Sequence, residues 1–434
     1  MKKVAFYTLG CKVNQYETNG MIQKFLDNGY EIVEFNDIAD IYVVNTCTVT
    51  NIADKKSRQM LRRAKEINSN SIIVAVGCYV QVAKKEIEKM DEIDLCLGTN
   101  EKKDIVKYLE EYIQNGGKQD IEDVFQNKEY GDFGNVTYTE NVRAVIKVQD
   151  GCDRFCTYCL IPYARGRVRS RNPQSVIEEI KKISQKGIKE VVITGIHVAS
   201  YGKDFKEDYK LIDLLEEINQ IDGIERIRLG SIEPLLIDDE FLKRLTKLKK
   251  ICHHFHLSLQ SGCDATLERM NRRYTTEQFE EIVKKLRKAY SDVMLTTDII
   301  VGFPGETDEE FEKTYDFLKK IKFYKMHVFK YSIRTGTKAA TMENQISNNI
   351  KDARSKKLID LSEENEKDFN SEYVGKTVEV LVEEEENGFY KGHTANYMMV
   401  KFKSEKNVEN EVVEVKLIEN SIGIMQKNSL FNKM

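Results

Sequence analysis

Gly151-Cys152-Asp153-Arg154-Phe155-Cys156-Thr157-Tyr158-Cys159 sets three thiols in a C-x3-C-x2-C pattern directly behind an apolar, β-rich stretch, Val142–Val148. Three thiolates so close in sequence suit a soft metal centre. A cube of four irons and four sulfides normally takes four cysteines, so three ligands leave one iron open to a substrate or cofactor. A structural zinc site would want a fourth protein ligand. The next Cys or His after Cys159 is His197, which only folding could bring near.

Downstream of this motif, strand-like stretches recur at Glu190–Ile193, Arg226–Leu229, Phe255–Leu259, Val293–Val301 and Lys325–Tyr331. Helical stretches lie between most of them: Val176–Ser184, Leu211–Asn219, Glu240–Leu248, Thr276–Ala289 and Glu309–Ile321. Strands alternating with helices predict a parallel sheet. With Val142–Val148 the series predicts a partial (β/α) barrel of six units, since a closed barrel of the common kind needs eight. Upstream, three strand–turn–helix units predict a separate parallel-sheet α/β domain. Its strands, Val4–Leu9, Ile41–Val44 and Ser71–Val76, are followed by Cys11, Cys47 and Cys78. All strand ends of a parallel sheet lie along one edge, so these cysteines are expected to converge there. The expected division is an α/β domain at 1–115, a linker at 116–140 and the partial barrel at 141–333. A helical connector at 334–370 and a small β domain, expected to be a barrel, at 371–434 complete it.

Composition agrees with a globular α/β protein. The 434 residues are 41% hydrophobic and 32% charged, with a net charge of −4. That balance excludes disordered and collagen-like classes and a uniformly basic nucleic-acid coat, though not a local basic face. Nine cysteines are an odd number in a long chain, which argues for reduced thiols that bind metal or do chemistry. The amino-terminal residues lack a signal-peptide core, and no apolar run reaches membrane-span length, so a cytoplasmic location with no membrane contact is expected.

The C-x3-C-x2-C motif behind the first strand of a six-unit series resembles the radical S-adenosylmethionine superfamily. The longer string through Leu160-Ile161-Pro162-Tyr163-Ala164-Arg165-Gly166-Arg167-Val168-Arg169-Ser170-Arg171 resembles the tRNA methylthiotransferases. Thr8-Leu9-Gly10-Cys11-Lys12-Val13-Asn14-Gln15, Asn45-Thr46-Cys47-Thr48-Val49 and Val76-Gly77-Cys78-Tyr79 match that family's three-cysteine amino-terminal domain. The terminal β domain resembles the RNA-binding TRAM module. The resemblance implies two 4Fe–4S clusters, one on Cys152, Cys156 and Cys159 and one on Cys11, Cys47 and Cys78. It implies S-adenosylmethionine as cofactor, tRNA as substrate and a reducing partner such as flavodoxin or ferredoxin, with the sulfur source left open. Gly10-Cys11-Lys12-Val13-Asn14-Gln15-Tyr16-Glu17-Thr18 resembles the branch acting on N6-threonylcarbamoyladenosine at tRNA position 37. Its product is the 2-methylthio derivative. Rival readings are the isopentenyladenosine branch, the branch modifying a ribosomal-protein aspartate, and a non-catalytic Fe–S or RNA-binding protein.

Ser231 and Glu233, after Arg226–Leu229, and Gln260, after Phe255, face the barrel mouth, and the resemblance supports them as S-adenosylmethionine pocket residues, against simple turn formation. Arg165, Arg167, Arg169 and Arg171 lie in an acid-free segment and are expected to contact RNA phosphates. Lys55–Lys65 is a second basic run, read either as a phosphate contact or as a solvated helix face. Lys12, Asn14 and Gln15 are expected to sense the polar group on adenosine N6, or else to shape the cluster loop. His253, His254 and His256 read as packed or solvated histidines, with His254 and His256 on one strand face. Thr307 with Glu310 reads as a capping box, and Cys96, Cys252 and Cys263 receive no ligand role. The terminal domain, eight Lys against eleven Glu, is acidic, which departs from an RNA-gripping surface.

Overall fold

The computed structural model describes residues 1–117, 121–139 and 141–426; residues 118–120 and 140 of the expected linker and 427–434 of the terminal domain lie outside it. The first sheet has the order β2-β1-β3-β4-β5 with every pair parallel. It contains β1 (Lys3–Thr8), β2 (Glu31–Val33), β3 (Ile41–Thr46), β4 (Ile72–Gly77) and β5 (Leu95–Leu97). The edge strand β2 is too short to carry an alternation signal. Helix α1 (Lys12–Asp27) follows β1, and α2 (Asn51–Ile67) follows β3. The central strand β3 is wholly buried and β4 nearly so, with helices and apolar clusters on both faces, as a parallel sheet requires.

The second series comprises β6 (Arg143–Asp150), β7 (Arg169–Ser170), β8 (Glu190–Gly195), β9 (Arg226–Leu229), β10 (Ser231–Ile232), β11 (His254–Leu257), β12 (Met294–Val301) and β13 (Lys325–Lys330). It forms two four-stranded sheets, β7-β6-β8-β9 and β10-β11-β12-β13. The chain passes from one to the other through Gly230, so together they make an open, curved wall. The six expected strands are present; β7, paired antiparallel to β6, and the two-residue β10 are additions. Ala144, Ile146, Val148, Val191, Ile193, Ile227, Leu229, Phe255, Leu257, Leu295 and Ile299 point outward into the main core. Their alternates, among them Lys147, Gln149, Arg228, His254, His256, Thr296 and Asp298, therefore line the inner face. The connector helix, Asn348–Ser371, is part of this unit, since Leu358 and Leu361 join the same core. Thr307 and Glu310 form the expected capping box.

The strands β14 (Thr377–Glu386), β15 (Phe389–Thr394), β16 (Met399–Lys403), β17 (Val412–Glu419) and β18 (Ile422–Met425) close into a barrel in the order β14-β15-β16-β18-β17. It sits against the amino-terminal ends of the central strands. Arg226 Nη1 donates to the His393 carbonyl at 2.9 Å, Arg228 Nη1 to the Ala395 carbonyl at 3.0 Å and Asn396 Nδ2 to the Asp292 carbonyl at 3.0 Å. Among the described residues, no helix is long and apolar enough to cross a membrane.

Candidate active site

Cys152, Cys156 and Cys159 occupy the loop leaving β6 at the carboxyl-terminal mouth of the curved wall. Gly151 has φ +73° and a Cβ there would lie 1.8 Å from the Arg167 carbonyl oxygen, so only glycine lets the loop pass. The Cys152 amide donates to the Gly166 carbonyl at 3.0 Å. Arg272 Nη1 lies 3.5 Å from Cys156 Sγ, and its Nη2 donates to the Ser258 carbonyl at 3.0 Å. Burial pushes the Cys152 thiol up to about 11 and the Cys159 thiol up to about 12. Metal binding must therefore displace protons from them.

Glu233 is the polar hub beside this loop. It pairs with Arg154 and lies 2.9 Å from His197 Nε2, while His197 Nδ1 meets Ser200 Oγ at 2.8 Å. Burial opposes its charge, yet His197, Arg154 and Arg272 outweigh that and hold the carboxyl down to about 2. Gln260 is buried at the same mouth with φ +71°, its amide donating to the Asp298 carbonyl at 2.9 Å, and Ser231 is exposed there. The structure thus brings Glu233 and the cluster loop into contact and sets Ser231 and Gln260 on the same rim. Nothing local in the sequence marks Arg272 for this pocket, and His197 enters it as the residue that folding brings near. His197 had a signal, since it stands two residues beyond β8 on the rim that carries the other ligands.

Cys11, Cys47 and Cys78 follow β1, β3 and β4, which are adjacent strands. Gly10, at φ +103°, packs so closely that a Cβ would lie 2.8 Å from Cys47 Sγ. Burial raises the Cys47 thiol to about 12, with the neighbouring Cys78 and Cys11 adding to the shift. Cys11 stays accessible to solvent at the head of α1, in a concave setting. Among the described residues, only His256, Asp298 and His327 bring three metal-ligating atoms within 4.8 Å of one another. Both thiol triads are spaced more widely than one ion would draw them, and all-sulfur donor sets of this kind fit an iron–sulfur cube.

The first sheet packs across the open side of the curved wall. On one margin, α1 lies across β6: Glu17 accepts from Lys147 Nζ at 2.7 Å, and Tyr16 Oη accepts from Arg171 Nη1 at 2.9 Å. On the other margin, beyond β13, Arg334 Nη2 pairs with Asp54 at 2.7 Å and donates to Thr48 Oγ1 at 2.6 Å. Between the first sheet, the curved wall and the terminal barrel lies a chamber, a cavity of about 590 Å³ lined by Cys11, Lys12, Gln15, Arg143, Val145, Glu383 and Tyr397 among others.

Residues 146–318 match the Radical SAM superfamily, and residues 3–98 match the Uncharacterized protein family UPF0004. The threonylcarbamoyladenosine tRNA methylthiotransferase MtaB of Bacillus subtilis is 43% identical, covering 96% of this chain and 94% of that one. The protein of the same name from Aquifex aeolicus is 44% identical over 94% of this chain and 98% of its own. The chain belongs to the radical S-adenosylmethionine tRNA methylthiotransferases. A tRNA-2-methylthio-N(6)-dimethylallyladenosine synthase of Clostridium novyi is 36% identical over 96% and 94% of the two chains. Among solved structures, the radical S-adenosylmethionine methyltransferase TsrM of Kitasatospora setae matches with a TM-score of 0.58 at 16% identity, covering 76% of this chain and 73% of that one, and shares the fold. The superfamily match assigns one 4Fe–4S cluster and S-adenosylmethionine to this methylthiotransferase.

The arginine segment needs correction. Arg165, Arg169 and Arg171 are interior residues of this methylthiotransferase, so they do not offer a phosphate-contact surface. Arg165 pairs with Glu17, donates Nη2 to Asn14 Oδ1 at 2.7 Å and sets Nε 3.2 Å from Cys78 Sγ. Arg169 Nη1 donates to Asn100 Oδ1 at 2.9 Å, and Arg171 pairs with Glu179 at 3.0 Å and Asp132 at 3.3 Å. Only Arg167 is outward, its side chain 60% exposed over the Phe155 ring. Replacing Arg167 with Gln should therefore flatten the salt dependence of tRNA binding by about 0.7–0.9 log unit, one phosphate contact's worth. Filter binding across a salt series at constant iron content checks this, and an unchanged slope removes Arg167 from the interface.

The loop after Cys11 divides similarly. Asn14 is buried, donating to the Leu9 and Thr46 carbonyls at 2.6 and 3.0 Å, so it braces the thiol site and does not face a substrate. Gln15 Nε2 donates to Asn19 Oδ1 at 3.1 Å on the cavity margin. Lys12 lies within the cavity, where enclosure by protein, with Arg143 and Arg228, lowers its ammonium to about 8. In the second basic run, Arg58 bonds Tyr79 Oη at 2.7 Å and Arg62 pairs with Glu92 at 3.3 Å. His254 and His256 share one face as expected, both meeting Thr296 Oγ1.

Proposed function

We propose that this chain converts N6-threonylcarbamoyladenosine at tRNA position 37 to its 2-methylthio derivative. The observation that carries the reading is that one short segment touches both three-thiol sites, Arg165 Nε lying 3.2 Å from Cys78 Sγ while the Gly166 carbonyl accepts from the Cys152 amide at 3.0 Å. Cys11, Cys47 and Cys78 hold a second 4Fe–4S cluster in this reading. When bound, S-adenosylmethionine and the two clusters supply a carbon-centred radical and a sulfur atom, chemistry that side chains alone cannot provide. The chain's own groups position and shield. Arg272 supports the sulfur of Cys156, and Glu233, held as a carboxylate, offers a fixed acceptor to a cationic cofactor group. Gly166 and Arg165 belong to one segment that touches both thiol sites, which fixes their separation. The first sheet and terminal barrel exclude bulk water from the side and floor. A low-potential flavodoxin- or ferredoxin-type protein is the reductant in this reading. The acidic terminal barrel serves here as the chamber floor and as a TRAM-like contact to tRNA.

Lys12 supports the polar branch, because an unpaired ammonium in the cavity suits a substituent ending in a carboxylate and suits an apolar isopentenyl group poorly. Reconstituted enzyme should convert threonylcarbamoyladenosine-bearing tRNA at least ~100-fold faster than isopentenyladenosine-bearing tRNA, judged by kcat/KM from nucleoside mass spectrometry. Comparable rates on both would overturn the branch assignment.

A further inference from the structure

The inner wall opposite α1 carries three polar side chains that the chemistry above does not use. His256 on β11, Asp298 on β12 and His327 on β13 stand side by side on adjacent parallel strands. Their ligand atoms all lie within 4.8 Å of one another. Strand alternation puts them on the chamber face, because Leu257 and Ile299 beside them point into the core.

Their hydrogen bonding is incomplete. Thr296 Oγ1 meets His256 Nδ1 at 3.0 Å and also His254 Nε2 at 2.9 Å, which fixes the His256 ring in its plane. His256 Nε2 is buried and has no hydrogen-bond partner among the described residues, although Asp298 Oδ2 is 3.2 Å away, so the ring nitrogen is aimed past the carboxylate. The His327 ring makes a tilted contact with the His256 ring at 5.8 Å. A buried polar atom left unpaired costs stability, and a polar ligand group that bonds to it removes that cost.

The surroundings decide which kind. Two histidines and one carboxylate form a set that divalent ions also use. Here, however, burial disfavours protonation of His254 and His327, and the cations around the same wall add to it, Arg228 and Lys12 at His254 and Lys325 and Lys12 at His327. Glu190 is already engaged by Arg228 at 2.6 Å and Glu366 by Lys325 at 3.1 Å. Among the described residues, the groups on this wall without a hydrogen bond include the Lys12 ammonium, His256 Nε2 and the His327 ring, with Asp298 as the acceptor beside them. That pattern is complementary to an anionic group carrying its own hydroxyl or N–H donor.

We propose that His256, Asp298 and His327 bind the polar arm on adenosine N6, the histidine nitrogens donating to its carboxylate and Asp298 accepting from its hydroxyl or ureido N–H. This rests on the threonylcarbamoyl reading given above. The arm would lie along the β11–β13 wall, with its carboxylate between that wall and Lys12.

The test uses cluster-loaded enzyme with His327→Ala, His327→Gln and Asp298→Asn. His327→Ala should raise KM for threonylcarbamoyladenosine tRNA about 10- to 100-fold, the range for a lost hydrogen bond to a charged group, with kcat changed far less. His327→Gln, which keeps a donor, should recover much of that loss. Cleavage of S-adenosylmethionine without tRNA should stay at the parental rate in every variant. Calorimetry with the free nucleoside gives a second readout, in which His327→Ala and Asp298→Asn should each weaken binding by a similar factor. An unchanged KM together with unchanged nucleoside binding overturns the proposal. So does a stoichiometric Mn²⁺ signal in the parent's electron paramagnetic resonance titration that His327→Ala abolishes, since it makes the triad a cation site. If the parent fails to act on threonylcarbamoyladenosine tRNA at all, the functional reading falls instead.

Discussion

Cys156→Ala enzyme, reconstituted anaerobically, will form no 5′-deoxyadenosine, while Cys47→Ala enzyme will form it and yield no methylthio nucleoside. The expectation follows from where the two thiols stand. Cys156 lies on the rim loop with Arg272 3.5 Å from its sulfur, in the part of the chain that matches the radical superfamily. Cys47 follows β3, a strand of a different sheet. Parent protein should bind about eight irons and the triple Cys152, Cys156 and Cys159 to Ala variant about four, because each cube carries four. Iron analysis and chromatography of the nucleoside products check both statements together. Equal loss of cleavage in Cys156→Ala and Cys47→Ala, with the fold and the other cluster retained, contradicts the division of labour. Loss of all iron in the triple variant contradicts the existence of two independent sites.

The largest stability effect is expected at Glu17. Its side chain is 1% exposed and accepts from Lys102 at 2.6 Å and Lys147 at 2.7 Å, besides pairing with Arg165. Glu17→Gln leaves three buried cations short of their shared counter-charge. Breaking a buried pair in this way costs roughly 3–5 kcal/mol. The urea midpoint of the variant should fall accordingly, and 1 M salt should not reproduce the fall in the parent, because a buried pair is poorly screened. The network also sets an acid limit. Burial opposes the charge of Asp150, but Lys147, Arg165 and Arg169 hold its carboxyl down to about 2, and similar cations hold Glu17 well below its ordinary value. A carboxyl whose folded value is depressed contributes stability above its unfolded pKa, near ~4, and loses it as pH falls through the folded value. Stability should therefore decline from about pH 4 toward pH 2, and Glu17→Gln should shrink that decline. A variant as stable as the parent would show that the cations are satisfied elsewhere.

Much of this architecture is legible in the chain. The C-x3-C-x2-C loop, the cysteines behind three early strands and the six-strand series all rest on local patterns, period-two alternation and residues at strand ends. The arginine segment is less transparent. Arg165 to Arg171 reads as a free basic stretch because no acid lies within it, but its partners come from afar: Glu17 is 148 positions from Arg165 in sequence. Local charge counting does not see such a pair, whereas burial does. Asn14 is ambiguous for a related reason, since a polar residue behind a cysteine reads equally as a substrate contact or as a brace of the cluster loop, and only the fold shows it donating to the Leu9 and Thr46 carbonyls. Arg272 reaches Cys156 across 116 positions, and only the closing of the curved wall makes them neighbours. Local pattern thus specifies the strands and thiol loops, while polar residues at the seams between units take their meaning from tertiary packing.

The chamber's side wall is a separate sheet, built from residues 3–97, and that has a consequence for how the molecule is made. A chain folds from its amino terminus as it leaves the ribosome, domain by domain. The sheet that bears Cys11, Cys47 and Cys78 is therefore complete before the strands it will cover have been synthesised. In the finished fold Cys47 and Cys78 are each only 4% exposed, and Arg165 lies over the latter. Until Arg165 emerges and docks, the same thiols stand open along a strand edge. Chain polarity thus leaves Cys47 and Cys78 more open during synthesis than in the finished fold, where Cys11 stays accessible.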